Sequence, residues 1–270
     1  MTKAFYSKKN QDAWNSAYKK NEALLIGYLI AEDPTASKSL EMLKESVVAG
    51  IDIIEMGIPS GNPYMDGAII KRGHQRVTSN EHYSEESLIA YWTLVRQQIE
   101  IPIWAMGYKA DLVDTGLCMR LAQLGLIDGL VLPDCSLAES DEIDVSMREY
   151  GVDVVRFAST GMTDDELMEM SKEAKIVYAQ SYSGATGNPL AQLGDLSELY
   201  HRIRKYTSAL TISGFGLRTP EKVRLAIESG FEGAVVGSVL VARCENGEQD
   251  YLYRLIADMK IQTDLGIGKE

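Results

Sequence analysis

Several features are scarce in this sequence, and each absence narrows the class of protein. Its 270 residues include only 3 cysteines and 7 prolines, and no two cysteines have the C-x-x-C spacing of a metal or redox motif. We therefore expect a reducing compartment and no disulfide framework. The longest apolar runs fall well short of the roughly 18 to 20 residues of a membrane helix, and the polar amino terminus lacks the apolar segment of a signal peptide. These absences predict a cytoplasmic protein.

The chain also has fewer basic residues than acidic ones. The chain carries 27 Lys and Arg against 39 Asp and Glu, a net charge of −12. An acidic surface argues against nucleic acid or an anionic membrane as a partner. The apolar fraction of 45% is that of an ordinary globular protein with a sizeable core.

Short apolar runs rich in β-branched residues recur along the chain and predict eight buried strands. Most of them begin about 23 to 33 residues after the one before, which is the length of a strand, a helix and two loops. The runs are LLIGYLI (24–30), IDIIEMGI (51–58), PIWAMGY (102–108), DGLVLPD (128–134), VDVVRFA (152–158), KIVYAQS (175–181), ALTISG (209–214) and GAVVGS (233–238).

Amphipathic segments lie between these runs and carry helix-boundary signals. Gly50 can end a helix over 37–50, Thr163 and Thr219 are N-cap candidates, and Pro220 suits a first helical position. An open doubly wound sheet has the same alternation, but eight units without a linker favour a closed (β/α)8 barrel. We predict a single TIM-barrel domain over 1–270. A helical extension over 1–22 is expected to cover the barrel bottom with Phe5, Trp14 and Tyr18.

Glu55 ends the otherwise apolar second strand and is the first candidate for chemistry. At the carboxyl end of a barrel strand it faces the mouth, where burial raises the pKa of a carboxyl and lets it exchange a proton near neutral pH. The alternative is a glutamate paired with a nearby lysine or arginine.

The loop after Glu55 is unusually long, because about 49 residues separate the second strand from the third, roughly 20 more than a usual unit. Asp66 lies in this loop, and two carboxyls converging on one pocket would divide the work of acid-base and electrostatic partner. The alternative is a loop aspartate that bonds its own backbone before Gly67.

Glycine clusters follow the last three strands and predict a phosphate site. They are SGATGN (183–188), SGFG (213–216) and Gly237-Ser238. Bare N–H groups in the loops after strands seven and eight of a barrel can approach phosphate oxygens closely. The alternative is that the glycines only form tight turns.

The histidines and cysteines offer little by comparison. His74, His82 and His201 are not near a strand end or at metal-ligand spacing, so we expect surface residues and no metal site. Cys135 follows a strand end, but no histidine is placed as its base, so we interpret it as inert.

Taken together, several segments resemble the tryptophan synthase alpha chain. The likeness runs through GYLIAEDP (27–34), DIIEMGIP (52–59), PYMDG (63–67), Tyr178 with GATGN (184–188), GFG (214–216) with TPE (219–221), and Gly237-Ser238. It extends from the first strand to the eighth, in order and with compatible spacing.

The resemblance implies a (β/α)8 lyase that cleaves indole-3-glycerol phosphate to indole and glyceraldehyde 3-phosphate without a cofactor. It implies that Glu55 is the acid-base and that Asp66 bonds the indole N–H. Pyridoxal phosphate would belong to a beta subunit that receives the indole. The implied substrate-binding residues are Tyr28, Met106, Tyr108, Phe157, Tyr178, Thr186 and Phe215, and the implied phosphate-binding residues are Gly187, Gly216, Gly237 and Ser238.

The chain departs from the family pattern mainly in the loop after Glu55. Ser60-Gly61-Asn62 replaces an aromatic, a serine and an acid in the loop expected to meet the beta subunit, and Glu32 stands where glycine is usual. Two other functions therefore stay open. One is a paralogue working alone that releases free indole or cleaves a related glycerol phosphate, and the other is a non-catalytic subunit that binds a partner.

Overall fold

A computed structural model describes residues 3–180, 194–214 and 216–266. In this part of the chain eight parallel strands pair in sequence order, and β8 pairs with β1 to close a barrel, so the prediction of a closed (β/α)8 barrel is confirmed. The strands are β1 Leu24–Ile30, β2 Ile53–Gly57, β3 Ile103–Met106, β4 Gly129–Val131, β5 Asp153–Ser159, β6 Ile176–Gln180, β7 Leu210–Ser213 and β8 Gly233–Val236.

Helices cover the outside of the barrel and begin where the sequence predicts. Thr163 and Thr219 each accept a bond from the backbone of the third helical residue, Pro220 opens its helix, and Gly50 ends another with φ of 124°. Among the described residues the helices are α1 Lys8–Lys20, α2 Ala36–Ala49, α3 Ala68–Thr78, α4 Glu85–Gln98, α5 Lys109–Leu112, α6 Leu117–Gln123, α7 Leu137–Met147, α8 Asp164–Ser171, α9 Gly194–Arg204, α10 Pro220–Glu228, α11 Ser238–Glu245 and α12 Gln249–Ile261. None of these is long and apolar enough to cross a membrane.

Two apolar layers form the core. Residues inside the barrel, such as Ile26, Trp104 and Ile212, pack with one another, and a larger layer lies between the strands and the helices. Trp14 of α1 joins the interior layer, so this helix covers one end of the barrel. The expectation for Tyr18 is wrong, because its side chain is 61% exposed. Its ring lies beside that of Trp14, with centroids 6.0 Å apart, but stays in contact with solvent.

Buried polar contacts fix α1 to the barrel bottom. Asn10 donates to a carboxylate oxygen of Asp153 and to the backbone carbonyl of Asp128, both at 2.8 Å, and accepts a bond from the Trp104 indole nitrogen at 2.9 Å. Backbone amides of Tyr6 and Ser7 also donate to Asp153. Every one of these partners is close to the start of a strand. The polar contacts at this end of the barrel therefore stabilise the fold.

The long segment after β2 forms a loop over 58–67 and the extra helix α3, as the sequence predicts. Two arginines hold α3 in place. Arg76 makes two bonds to Asp33 after β1, at 2.8 and 2.7 Å, and Arg72 makes two bonds of 2.7 Å to Glu245 of α11. Paired bonds of this kind fix geometry as well as adding energy. The loop over 58–67 is therefore held next to a firmly anchored helix.

Candidate active site

Glu55 lies on β2 with its side chain inside the barrel. It is in register with Tyr28 of β1 and Trp104 of β3, and it is only 1% exposed. Burial, reinforced by the nearby charge of Asp66, raises its pKa to about 8. No lysine or arginine pairs with Glu55 among the described residues, and its Oε1 atom has no hydrogen-bond partner there. A carboxyl in this setting can both give and take a proton near neutral pH.

Asp66 comes from the loop after β2 and is also buried. The Tyr108 hydroxyl, which follows β3, donates to Asp66 Oδ2 at 2.7 Å, and the rings of Tyr64 and Tyr108 stack with centroids 4.9 Å apart. The charge of Asp66 raises the pKa values of Glu55 and Tyr28, in each case in addition to burial. The two carboxyls therefore act on one region of the barrel mouth.

His74 lies close to Asp66, and the prediction that it is a surface residue is wrong. Its side chain is 3% exposed, and Nε2 lies 3.4 Å from Asp66 Oδ2. The backbone N–H of Ser60 donates to Nδ1 at 3.1 Å. His74 lies on the inner stripe of α3 with Ile70, Gly73 and Val77, and this helical spacing is the signal that would have indicated burial.

The other candidates behave as the sequence indicates. His82 is exposed, as is His201. Burial and the neighbouring Asp134 raise the pKa of Cys135 to about 11, so its thiol is protonated at neutral pH and is a poor nucleophile.

Aromatic and apolar side chains from four strands surround Glu55. Tyr28 and Tyr178 are buried, and the Phe157 and Tyr178 rings have centroids 5.3 Å apart. Met106 contacts both the interior layer and the group around Tyr28. A Cβ atom at Gly214 would collide with the Tyr178 hydroxyl, and glycine is therefore required for this ring to occupy the mouth. A flat apolar ligand matches this lining.

The glycines after β7 and β8 lie at the same end of the barrel. Gly216 has φ of 74° with open space where a Cβ would be, and Gly237 is the N-cap of α11, which begins at Ser238. Arg218 donates to the Ser238 hydroxyl at 3.4 Å, which places a positive charge beside the helix start. No sequence pattern singles out this arginine, because one cation in an acidic chain forms no patch. Thr186, Gly187 and Phe215 lie outside the described residues.

Ser60, in the loop that departs from the family pattern, is 3% exposed and faces inward. Its hydroxyl accepts a bond from the Asn62 backbone at 3.1 Å. Because Ser60 is buried, the aromatic that it replaces in the family pattern does not correspond to an exposed position in this chain. Gly61 and Asn62 are exposed, and Tyr64 of the same loop is 55% exposed.

Comparisons with known proteins identify the family of the chain. The family model described as tryptophan synthase alpha chain matches residues 14–264. The tryptophan synthase alpha chain of Carboxydothermus hydrogenoformans is 32% identical, over 90% of this chain and 93% of its own length. That of Gluconobacter oxydans is 33% identical, over 85% and 87%. A solved structure of tryptophan synthase from Mycobacterium tuberculosis has the same fold, with a TM-score of 0.83 at 24% identity over 96% of this chain and 99% of that one. The chain therefore belongs to the tryptophan synthase alpha chain family.

Proposed function

We propose that this protein cleaves indole-3-glycerol phosphate to indole and glyceraldehyde 3-phosphate in tryptophan biosynthesis. The observation that carries the proposal is the buried Glu55, whose pKa of about 8 and aromatic surroundings suit proton exchange with an indole ring. Family membership supplies the substrate.

Glu55 performs both proton transfers. The protonated carboxyl gives its proton to C3 of the indole ring, and the resulting carboxylate takes the proton of the adjacent glycerol hydroxyl. A carbonyl forms at that carbon, the carbon–carbon bond to C3 breaks, and its electron pair restores the aromatic ring. Glu55 ends the cycle protonated, as it began, so no cofactor is consumed.

Asp66 stabilises the charge that develops between these steps. Protonation at C3 makes the ring nitrogen positive, and a fixed carboxylate that accepts the ring N–H is most favourable at that moment. Tyr108 holds Asp66 through its hydroxyl bond of 2.7 Å.

The remaining residues bind the two ends of the substrate. The apolar lining receives the indole ring, and the amides of Gly216, Gly237 and Ser238 receive the phosphate at the start of α11, with Arg218 adding charge. We assign Gly187 to the phosphate, and Thr186 and Phe215 to the rest of the substrate, on the resemblance alone. The indole passes to a beta subunit that holds pyridoxal phosphate. The alpha chain itself needs no cofactor for the cleavage.

The direct test is Glu55→Gln assayed for indole release. Because glutamine cannot transfer the proton, turnover should fall by about 10² to 10⁴ while binding of inorganic phosphate is retained. The first step needs the protonated acid, so wild-type kcat/KM should also fall as pH rises through about 8. Near wild-type turnover in the variant would overturn the role of Glu55. Indole release without any beta subunit, at full rate, would favour the paralogue that works alone.

A further inference from the structure

His74 connects the loop after β2 to the carboxylate of Asp66. Because the Ser60 backbone N–H donates to Nδ1 at 3.1 Å, that nitrogen must be an acceptor and carry no proton. The single proton of the neutral imidazole is then on Nε2. This is the nitrogen that lies 3.4 Å from Asp66 Oδ2.

The Nε2–H group is buried and makes no hydrogen bond within the described residues. A buried donor without an acceptor is unfavourable, so a small movement that brings it to the carboxylate stabilises the protein. The separation of 3.4 Å exceeds the usual range of about 2.7 to 3.2 Å by little. Bonds of this kind often tighten only when substrate is bound.

Two of the groups close to Asp66 Oδ2 come from different elements of the barrel. Tyr108 approaches Oδ2 from the loop after β3, and Glu55 and Tyr28 approach from inside the barrel. His74 approaches from α3, which the arginine contacts with Asp33 and Glu245 hold in place. A donor on a fixed helix can set where the carboxylate points.

We propose that His74 is a positioning residue that directs the Asp66 carboxylate toward the indole N–H through a bond from Nε2. The role rests on the proposed lyase function. Asp66 touches the substrate and His74 does not, so His74 acts on the transition-state charge through Asp66. Its removal should lower kcat and leave KM almost unchanged.

Two substitutions of His74 test the roles of its two ring nitrogens one at a time. In His74→Asn the amide oxygen takes the place of Nδ1, keeps the bond from Ser60 and loses the donor toward Asp66. In His74→Gln the amide nitrogen reaches the place of Nε2 and keeps that donor. We expect H74N to lower kcat about tenfold, the size of losing a bond to a charged group, and H74Q to recover most of that loss.

Combining H74N with Asp66→Asn distinguishes positioning from a general structural effect. If His74 acts through Asp66, H74N should have no further effect on kcat in the D66N background. The same loss in both backgrounds, or equal kcat for the wild type, H74N and H74Q, would overturn the proposal. A wild-type chain that releases no indole would instead overturn the lyase function itself.

Nitrogen NMR of the His74 ring in the wild type tests the geometry without relying on any variant folding. The expected spectrum at neutral pH has an unprotonated Nδ1 and a protonated Nε2, with the Nε2 proton moving downfield when glyceraldehyde 3-phosphate and indole are added. The opposite tautomer would overturn the proposal.

Discussion

At the scale of single residues, burial is what gives Glu55 its properties. A carboxylate removed from water loses its hydration, and the described residues offer it no cation in exchange. The neutral acid is therefore favoured up to a pH of about 8. This carboxyl costs the fold stability at neutral pH, as residues kept for chemistry often do.

Because the buried Glu55 carboxyl lowers stability when it ionises, the free energy of unfolding should depend on pH. The Glu55 pKa is about 8 in the folded protein and roughly 4.3 in an unfolded chain. Between these values the folded state keeps a proton that the unfolded state has released, so the free energy of unfolding falls as pH rises. Glu55→Gln removes this titration, and at pH 9 the variant should be more stable than the wild type by roughly 5 kcal/mol, with little difference at pH 4.

Urea unfolding of both proteins across that pH range measures the difference. Asp153, whose pKa burial raises to about 6, titrates in both proteins, and its contribution cancels. A constant offset between the two proteins at every pH would show that Glu55 ionises at an ordinary pH.

Glu32 departs from the family pattern, and its backbone has an unusual conformation. Its φ of 64° lies in the left-handed region that favours glycine, the residue usual at this place in the family. A side chain at this position therefore strains the backbone, which a glycine would not.

At the scale of elements, the loop after β7 and the start of α11 form the phosphate end of the site. Gly216→Ala should weaken binding of inorganic phosphate and of glyceraldehyde 3-phosphate, because its Cβ would project into open space beside the proposed cradle and the strained φ would shift the amides. We expect a loss of about tenfold or more in affinity, measured by calorimetry.

Gly125→Ala is the matched control. Gly125 has a similar φ of 65°, also with no atom within 4 Å of a Cβ, but it lies between α6 and β4 at the other end of the barrel. Both variants should lose about 1 kcal/mol of stability from the same strain. Equal phosphate affinity in both would contradict the cradle.

At the scale of the whole molecule, the two ends of the barrel have separate tasks. The strand starts bind α1 through satisfied polar contacts around Asp153, whereas the strand ends carry the buried acid Glu55, whose Oε1 atom has no hydrogen-bond partner among the described residues. Satisfied groups stabilise a fold, and unsatisfied ones at a mouth are available for a ligand.

Association with a beta subunit is the property in which this chain should differ from its relatives. Asn62 and Gly61 are exposed in the loop expected to meet the partner, where the family usually carries an acid. We predict weak binding of a beta subunit from an unrelated source and little activation by it. Asn62→Asp should tighten binding about two- to fivefold by restoring the charge.

Titration of the beta subunit against lyase activity measures both effects. Asn246→Asp adds the same charge at an exposed position after α11 and should leave binding unchanged. Tight binding and strong activation of the wild type would mean that Asn62 does not govern the contact.

The sequence by itself determined the barrel, because strand period, caps and buried runs are local properties of neighbouring residues. It also singled out Glu55 near the end of the second strand. In the structure β2 continues two residues further, to Gly57, and closure of the barrel buries the Glu55 side chain. Only the tertiary structure decided that His74 and Ser60 meet, that His74 lies beside Asp66, and that Tyr108 binds Asp66 from 42 positions along the chain. Contacts between loops and helices that are distant in sequence depend on how the elements pack, and no local pattern records that packing.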